Sequence, residues 1–114
     1  MTAAEYLSLQ ADRRRWSAAI GERLRDVDAL VMPTVPIVAP RVADVDASDE
    51  AYTSANLLML RNPTFINFLD GCALSIPCHR EGEAPVGLMV AGTSGQDRRV
   101  LSLGAAIEKV LVAA

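Results

Sequence analysis

The chain reads as an α/β protein. Three short apolar runs, Ala29 to Met32, Ala73 to Cys78 and Val86 to Ala91, alternate with longer stretches whose apolar residues recur at helical intervals. Strands apolar on both faces belong in a sheet that helices cover from two sides. The expected order is helix, strand, helix, helix, strand, strand, helix.

Thr2 followed by Glu5 has capping-box spacing, and Leu9, Trp16, Ile20, Leu24 and Val27 then recur at helical intervals. This predicts a helix over 3–26. Arg13 interrupts its stripe, laying its methylenes on the core edge with the guanidinium in water. Ala29 to Met32 is pinned between Asp28 and Pro33, too short for a helix and therefore a buried strand. Pro33, Pro36 and Pro40 force extended backbone, and Asp44, Asp46, Ser48, Asp49 and Glu50 follow as a solvated loop. Ser48 or Asp49 caps a second helix running to Leu60. Asn62-Pro63 supplies a fresh cap and a proline suited to a first helical position, predicting a third helix over 63–70 that Gly71 ends. The strands at Ala73 to Cys78 and Val86 to Ala91 form a loose hairpin across a polar connection. After the loop of Gly92 to Gly95, Val100, Leu103, Ile107, Val110 and Leu111 mark a closing helix. Three nearly uncharged strands leave at least one sheet edge without the usual charge or proline protection. The expectation is that strands are missing, or that the chain associates with itself through that edge.

A length of 114 residues suits one domain, which at 12.2 kDa would expose roughly 6,100 Å² and bury roughly 65% of its unfolded surface. The net charge of −3 and the scattered basic residues give no nucleic-acid footprint. Tyr6, Trp16, Tyr52, Phe65 and Phe68 are too few for a base-stacking platform. No apolar run approaches the ~20 residues of a membrane span, and Glu5, Asp12, Arg13, Arg14 and Arg15 stand where a signal peptide would be apolar. A cytoplasmic chain without membrane contact is the expectation.

Chemistry-bearing residues are sparse. Cys72 and Cys78 sit too far apart along one strand for a disulfide, and Cys78 and His79, as neighbours, point to opposite faces, which excludes a shared metal ion or a nucleophile pair. Cys78 is expected to be packed beside an exposed loop histidine. Gly92-Thr93-Ser94-Gly95 matches neither a nucleophile elbow nor a phosphate loop and reads as a turn leading into a helix cap. Asp44, Asp46, Asp49 and Glu50 lack the offsets of a calcium loop, and Arg13, Arg14 and Arg15 form a solvated helical face. Lys109 is the single lysine and has no serine pair near it in sequence. No metal, cofactor or catalytic residue is expected.

Taken together, the segments resemble the amidase-signature hydrolases. Tyr6 with Arg13 to Arg15, followed by Asp28-Ala29-Leu30-Val31-Met32-Pro33-Thr34-Val35-Pro36, is similar to the helix and the D-x-L-x-x-P-T-x-P strand and loop of that family. Asn67 through Cys78 resembles its N-L-x-G-x-P-A-x-x-x-P-C segment in register. Gly82 with Ala84 to Met89 is similar to its G-x-L-P-V-G-L-Q turn and strand, and Leu101 through Glu108 to its closing L-x-x-A-x-x-x-E helix. Asp70 stands where the family usually has glycine, Cys72 where it has proline, Met89 where glutamine is common and Gly104 where alanine is usual.

The resemblance implies that residues 1–114 are the C-terminal part of the amidase mixed-sheet fold. The nucleophilic serine, its partner serine on a cis peptide and the lysine belong to an upstream portion. A serine needs a base within reach and donors for the oxyanion, so the chain alone is expected to be inactive and to supply sheet scaffold and part of a substrate pocket. Thr34 and Asn67 are the pocket-lining candidates: Thr34 follows a proline at a strand end, where α/β folds commonly build ligand sites. The expected partner is the remainder of an amidase that hydrolyses a carboxamide to a carboxylate and ammonia. A free-standing noncatalytic interaction module is the alternative. Within the family, the A subunit of a tRNA-dependent amidotransferase usually carries an aspartate where Leu60 stands here, which favours the general amidases, and allophanate hydrolase is a further relative.

Overall fold

A computed structural model describes residues 1–112 as four helices and three strands. They are α1 (Ala3–Arg23), β1 (Leu30–Pro33), α2 (Val42–Val45), α3 (Asp49–Leu69), β2 (Cys72–Pro77), β3 (Gly87–Gly92) and α4 (Asp97–Val112). The order matches the expectation, but the two middle helices are different ones. The predicted break at Asn62-Pro63 is absent, and α3 runs through Pro63. Proline forfeits one hydrogen bond to the preceding turn and costs about 3 kcal/mol in a helix interior. Phe65, Ile66 and Leu69 offset that cost by packing, with Ile66 and Leu69 buried. Asn62 caps nothing and instead donates its side-chain amide to the Pro33 carbonyl at 2.7 Å. The other middle helix is α2, one turn inside the stretch read as a loop, where Arg41 grips Asp44 through two 2.8 Å hydrogen bonds.

Both long N-terminal caps stand where the sequence puts them. Thr2 accepts from the Glu5 amide at 3.2 Å while Glu5 answers the Thr2 amide, and Ser48 accepts from Ala51 at 3.1 Å. The Glu50 carboxyl is held below its ordinary pKa by its own backbone amide and then by the Ser48 hydroxyl. Helix α1 ends at Arg23, short of the expected residue 26.

The sheet is antiparallel throughout, in the order β1-β3-β2. Leu30 faces Ala91 and Pro33 faces Leu88 on one side of β3, and Cys72 faces Gly92 and Pro77 faces Gly87 on the other. On one face Met89 and Ala91 pack with Leu30 and Met32 beneath Phe65 and Ile66 of α3. On the other face α4 lies over β2 and β3, bringing Gly104 so close to Leu74 that a Cβ there would strike its Cδ2. Helix α1 packs on α3, where Trp16 meets Phe65 and Phe68 edge-on at 5.4 and 5.1 Å.

Arg13 joins the same two helices. Its Nε donates to the Phe68 carbonyl at 2.8 Å and its Nη2 to the Asn67 carbonyl at 3.1 Å, satisfying two carbonyls at the end of α3. The guanidinium also lies 5.5 Å from the Phe68 ring centre. Asp70 then turns the chain with φ at 61°, a left-handed conformation that glycine adopts without strain. Gly71 serves a different need, since a Cβ there would stand 2.5 Å from the Gly92 carbonyl.

The assembly is thin, 52 × 42 × 17 Å, with a radius of gyration of 17.2 Å where about 13 Å is usual for this length. It exposes 8351 Å², roughly 2,200 Å² above the area scaling for its mass. The expected burial is therefore not reached. The helices lie beside one another and on single faces of three strands, so each keeps an apolar side uncovered, as at Leu7, Leu57, Leu60 and Val110.

Replacing Asp70 by glycine removes the left-handed strain and only a weak, exposed ion pair to Arg13. Urea denaturation should show Asp70→Gly more stable by about 0.5–1 kcal/mol. Arg13→Ala, which takes the donor from the Phe68 carbonyl and leaves the Asn67 carbonyl with the Asp70 amide alone, should be less stable by about 1 kcal/mol.

Candidate functional site

Polar groups gather where β1 ends and β3 begins. Thr34, just past β1, donates its amide to the Gly87 carbonyl at 2.8 Å, which extends the ladder by one residue and fixes the side chain over the sheet. Its hydroxyl lies 2.6 Å from that of Ser75 on β2. Because β3 runs between their strands, the two hydroxyls can meet only over a residue with no side chain. Gly87 is that residue, for a Cβ there would collide with Ser75 Oγ and stand 2.7 Å from Thr34 Oγ1. The hydrogen bond from Asn62 to Pro33 anchors the backbone one residue before Thr34.

The hydroxyl pair lies in the wall of an open cavity of about 270 Å³ whose other walls are Val35, Pro77, Pro85 and Val86, with His79 at the rim. The His79 Nδ1 accepts from the Val86 amide at 3.4 Å, and the Cys78 amide donates to the Val86 carbonyl at 3.0 Å, so the rim is tied across the β2–β3 connection. An adjoining hollow of about 180 Å³ continues along Pro36, Ile37 and Val38. This arrangement offers a small polar anchor in an apolar groove. Among the hydrogen bonds of the described residues, the two hydroxyls have each other and no basic partner. Lys109 is exposed on the last turn of α4.

Thr34 thus lines a cavity, and Asn67 is not among that cavity's lining residues. Asn67 is exposed near the end of α3, where its carbonyl receives Arg13. Sequence reasoning missed Ser75 and Gly87. Ser75 is visible as the one polar side chain between Ala73 and Pro77, but nothing in the spacing shows that it meets Thr34, 41 residues away.

The remaining motifs lie away from this cavity or at its edge. Gly92 to Gly95 is a turn, with Gly95 at φ 79° and the Gln96 amide donating to the Thr93 carbonyl at 3.2 Å. Cys72 and Cys78 are free thiols at opposite ends of β2. Cys78 is exposed, contrary to the packed position expected, because β2 ends at Pro77 and Cys78 already lies in the connection to β3. Among the described residues there is no group of three His, Cys, Asp or Glu fit to hold a metal ion, and no helix long and apolar enough to cross a membrane.

Residues 1–101 match the family model described as Amidase. The chain is 33% identical over 112 residues to 2-amino-5-chloromuconic acid deaminase of Comamonas testosteroni, covering 97% of this chain and 24% of that protein. It is 32% identical to the fatty acid amide hydrolase of Medicago truncatula, covering 96% of this chain and 18% of that one. With the indoleacetamide hydrolase of Agrobacterium vitis it shares 32% identity, covering 95% and 24%. No solved structure gives a significant match.

Gly87→Ala should force the two hydroxyls apart and lower stability by about 1–3 kcal/mol, whereas Thr34→Val, which removes one half-exposed hydrogen bond, should cost less than about 1 kcal/mol. Thermal melts of the two variants beside the wild type check the ranking.

Proposed function

The chain belongs to the amidase family, and we propose that it is the C-terminal part of an amidase that hydrolyses a carboxamide to a carboxylate and ammonia. The observation that carries this reading is the family match over residues 1–101 by a chain that spans only 24% of its deaminase relative. The surplus of exposed area and the thinness of the layer support it, since both are what a portion of a larger protein would show.

In this reading the upstream portion brings the nucleophilic serine, its partner serine and the lysine, while residues 1–114 form one partial domain that extends the sheet and walls the pocket. Thr34 and Ser75 give the amide-bearing substrate a hydroxyl anchor, and Val35, Pro85 and Val86 exclude water from its apolar part. Asn67 enters as an exposed amide on a separate surface, where it would meet the upstream portion. Substrate carboxamide and water give carboxylate and ammonium, with every bond change at groups outside this chain. The apolar Leu60, half exposed on α3, favours a small-molecule amidase over the A subunit of an amidotransferase.

The test is ammonia release. The purified chain should release no ammonia from a panel of carboxamides, and co-expression with the upstream portion of an amidase should produce activity that depends on the serine of that portion. In the reassembled enzyme Thr34→Val should raise KM by about 3- to 10-fold while kcat changes less than about twofold. Turnover by the chain alone would overturn the proposal. A chain that neither turns over nor restores activity would point to the noncatalytic interaction module instead.

A further inference from the structure

The ladder between β2 and β3 closes in an irregular way. Residues facing each other at a hydrogen-bonded position of an antiparallel pair exchange two bonds, amide to carbonyl in each direction. At Cys78 and Val86 one of the two is regular, the Cys78 amide donating to the Val86 carbonyl at 3.0 Å. The Val86 amide instead donates to Nδ1 of the His79 ring at 3.4 Å. An imidazole nitrogen stands where the Cys78 carbonyl would accept.

A ring nitrogen differs from a carbonyl in one respect, since a proton can occupy its lone pair. The Val86 amide can donate only to a bare Nδ1, which puts the proton of the neutral ring on Nε2. Once Nδ1 carries a proton, two N–H groups point at each other and the bond is lost. The same Nδ1 lies 3.4 Å from the Val86 carbonyl, so the protonated ring has an acceptor at hand. That carbonyl has two lone pairs, shared between the Cys78 amide and the Cys78 thiol at 3.6 Å, and the weakly donating thiol is the one to yield.

The residue released in this exchange shapes the cavity. Val86 and its neighbour Pro85 wall both the hollow that holds the Thr34 and Ser75 hydroxyls and the adjoining one. Across the first hollow His79 is met by Thr34, Val35, Ser75 and Pro77, none of them charged. The charges near the ring are Arg80, Glu81 and Glu83 of its own connection, where the Glu83 carboxylate accepts from the Arg80 amide at 3.1 Å. Guanidinium and carboxyl groups as classes change charge outside the interval from about pH 5 to about pH 8 in which imidazole changes its own.

We infer that His79 is a proton-operated latch on the cavity wall, its neutral ring fastening Val86 and its protonated ring releasing that amide. The fastening exists only with the neutral ring, so it is present near about pH 8 and lost as the pH falls through the imidazole range. The latch is a property of the cavity and stands apart from the proposed amide hydrolysis.

A nuclear magnetic resonance titration of the 114-residue chain labelled with nitrogen-15 tests it. At about pH 8 the ring should carry its proton on Nε2, and the Val86 amide shift should move with the same midpoint as the His79 ring. Relative to a free peptide, the Val86 amide should exchange at least about threefold faster at about pH 5.5 than at about pH 7.5. His79→Phe, a ring without an acceptor, should leave that amide fast at both pH values. His79→Asn, whose Oδ1 takes the place of Nδ1 and does not titrate, should keep it slow at both. Cys78→Ala and Glu83→Gln should retain the pH dependence. A proton found on Nδ1 at about pH 8 overturns the inference. So does a Val86 amide that ignores the His79 titration, or a pH dependence that survives in His79→Phe.

Discussion

Every layer takes its position from β3. Among the described residues it is the only strand with a partner on each side, and Val90, Met89 and Ala91 are among the most completely buried. Alternation along its six residues sends Met89 and Ala91 to α3 and Val90 to the α4 face, so a shift by one residue would exchange the two layers. Gly87 and Gly92 at its ends admit close neighbours, the first beneath the Thr34 and Ser75 hydroxyls and the second against Gln96 and Val100 at the start of α4. The candidate pocket and the helix packing are therefore consequences of one strand and its register.

Helix α1 depends on the sheet only indirectly. It rests on α3 through the Trp16 edge contacts and the Arg13 hydrogen bonds to the last carbonyls of that helix. The apolar residues it does not use there, such as Leu7 and Leu9, remain exposed. An extended slab with aromatic and arginine fastenings at one joint, and bare apolar surface elsewhere, agrees with the proposal that the chain is a portion of a larger amidase. Its core is real but narrow, and the surface it leaves over is as large as many permanent interfaces between chains.

Much of the local structure is legible in the sequence because it is decided within a few residues. The capping box at Thr2 and Glu5, the cap at Ser48, the strand at Leu30 and the hairpin of β2 and β3 depend on short-range geometry, and each stands close to its expected place. The expected split of α3 fails because proline and asparagine carry a local breaking signal that burial of Ile66 and Leu69 overrides. The short turn α2 escapes notice because it has no apolar stripe and is held by Arg41 and Asp44 instead. Thr34 stands out because it follows a proline at a strand end, whereas its partner Ser75 does not, since contact across a third strand leaves no trace in spacing.

From its own residues the chain determines where helices begin, which runs are strands, and which family the ordered segments resemble, because caps, periodicity and motif order act over short distances. The tertiary structure alone decides that Asp70, and not Gly71, takes the left-handed turn, and that two hydroxyls meet over Gly87. Those outcomes depend on which backbone groups distant strands turn toward one another, and that assignment exists only once the ladder is assembled.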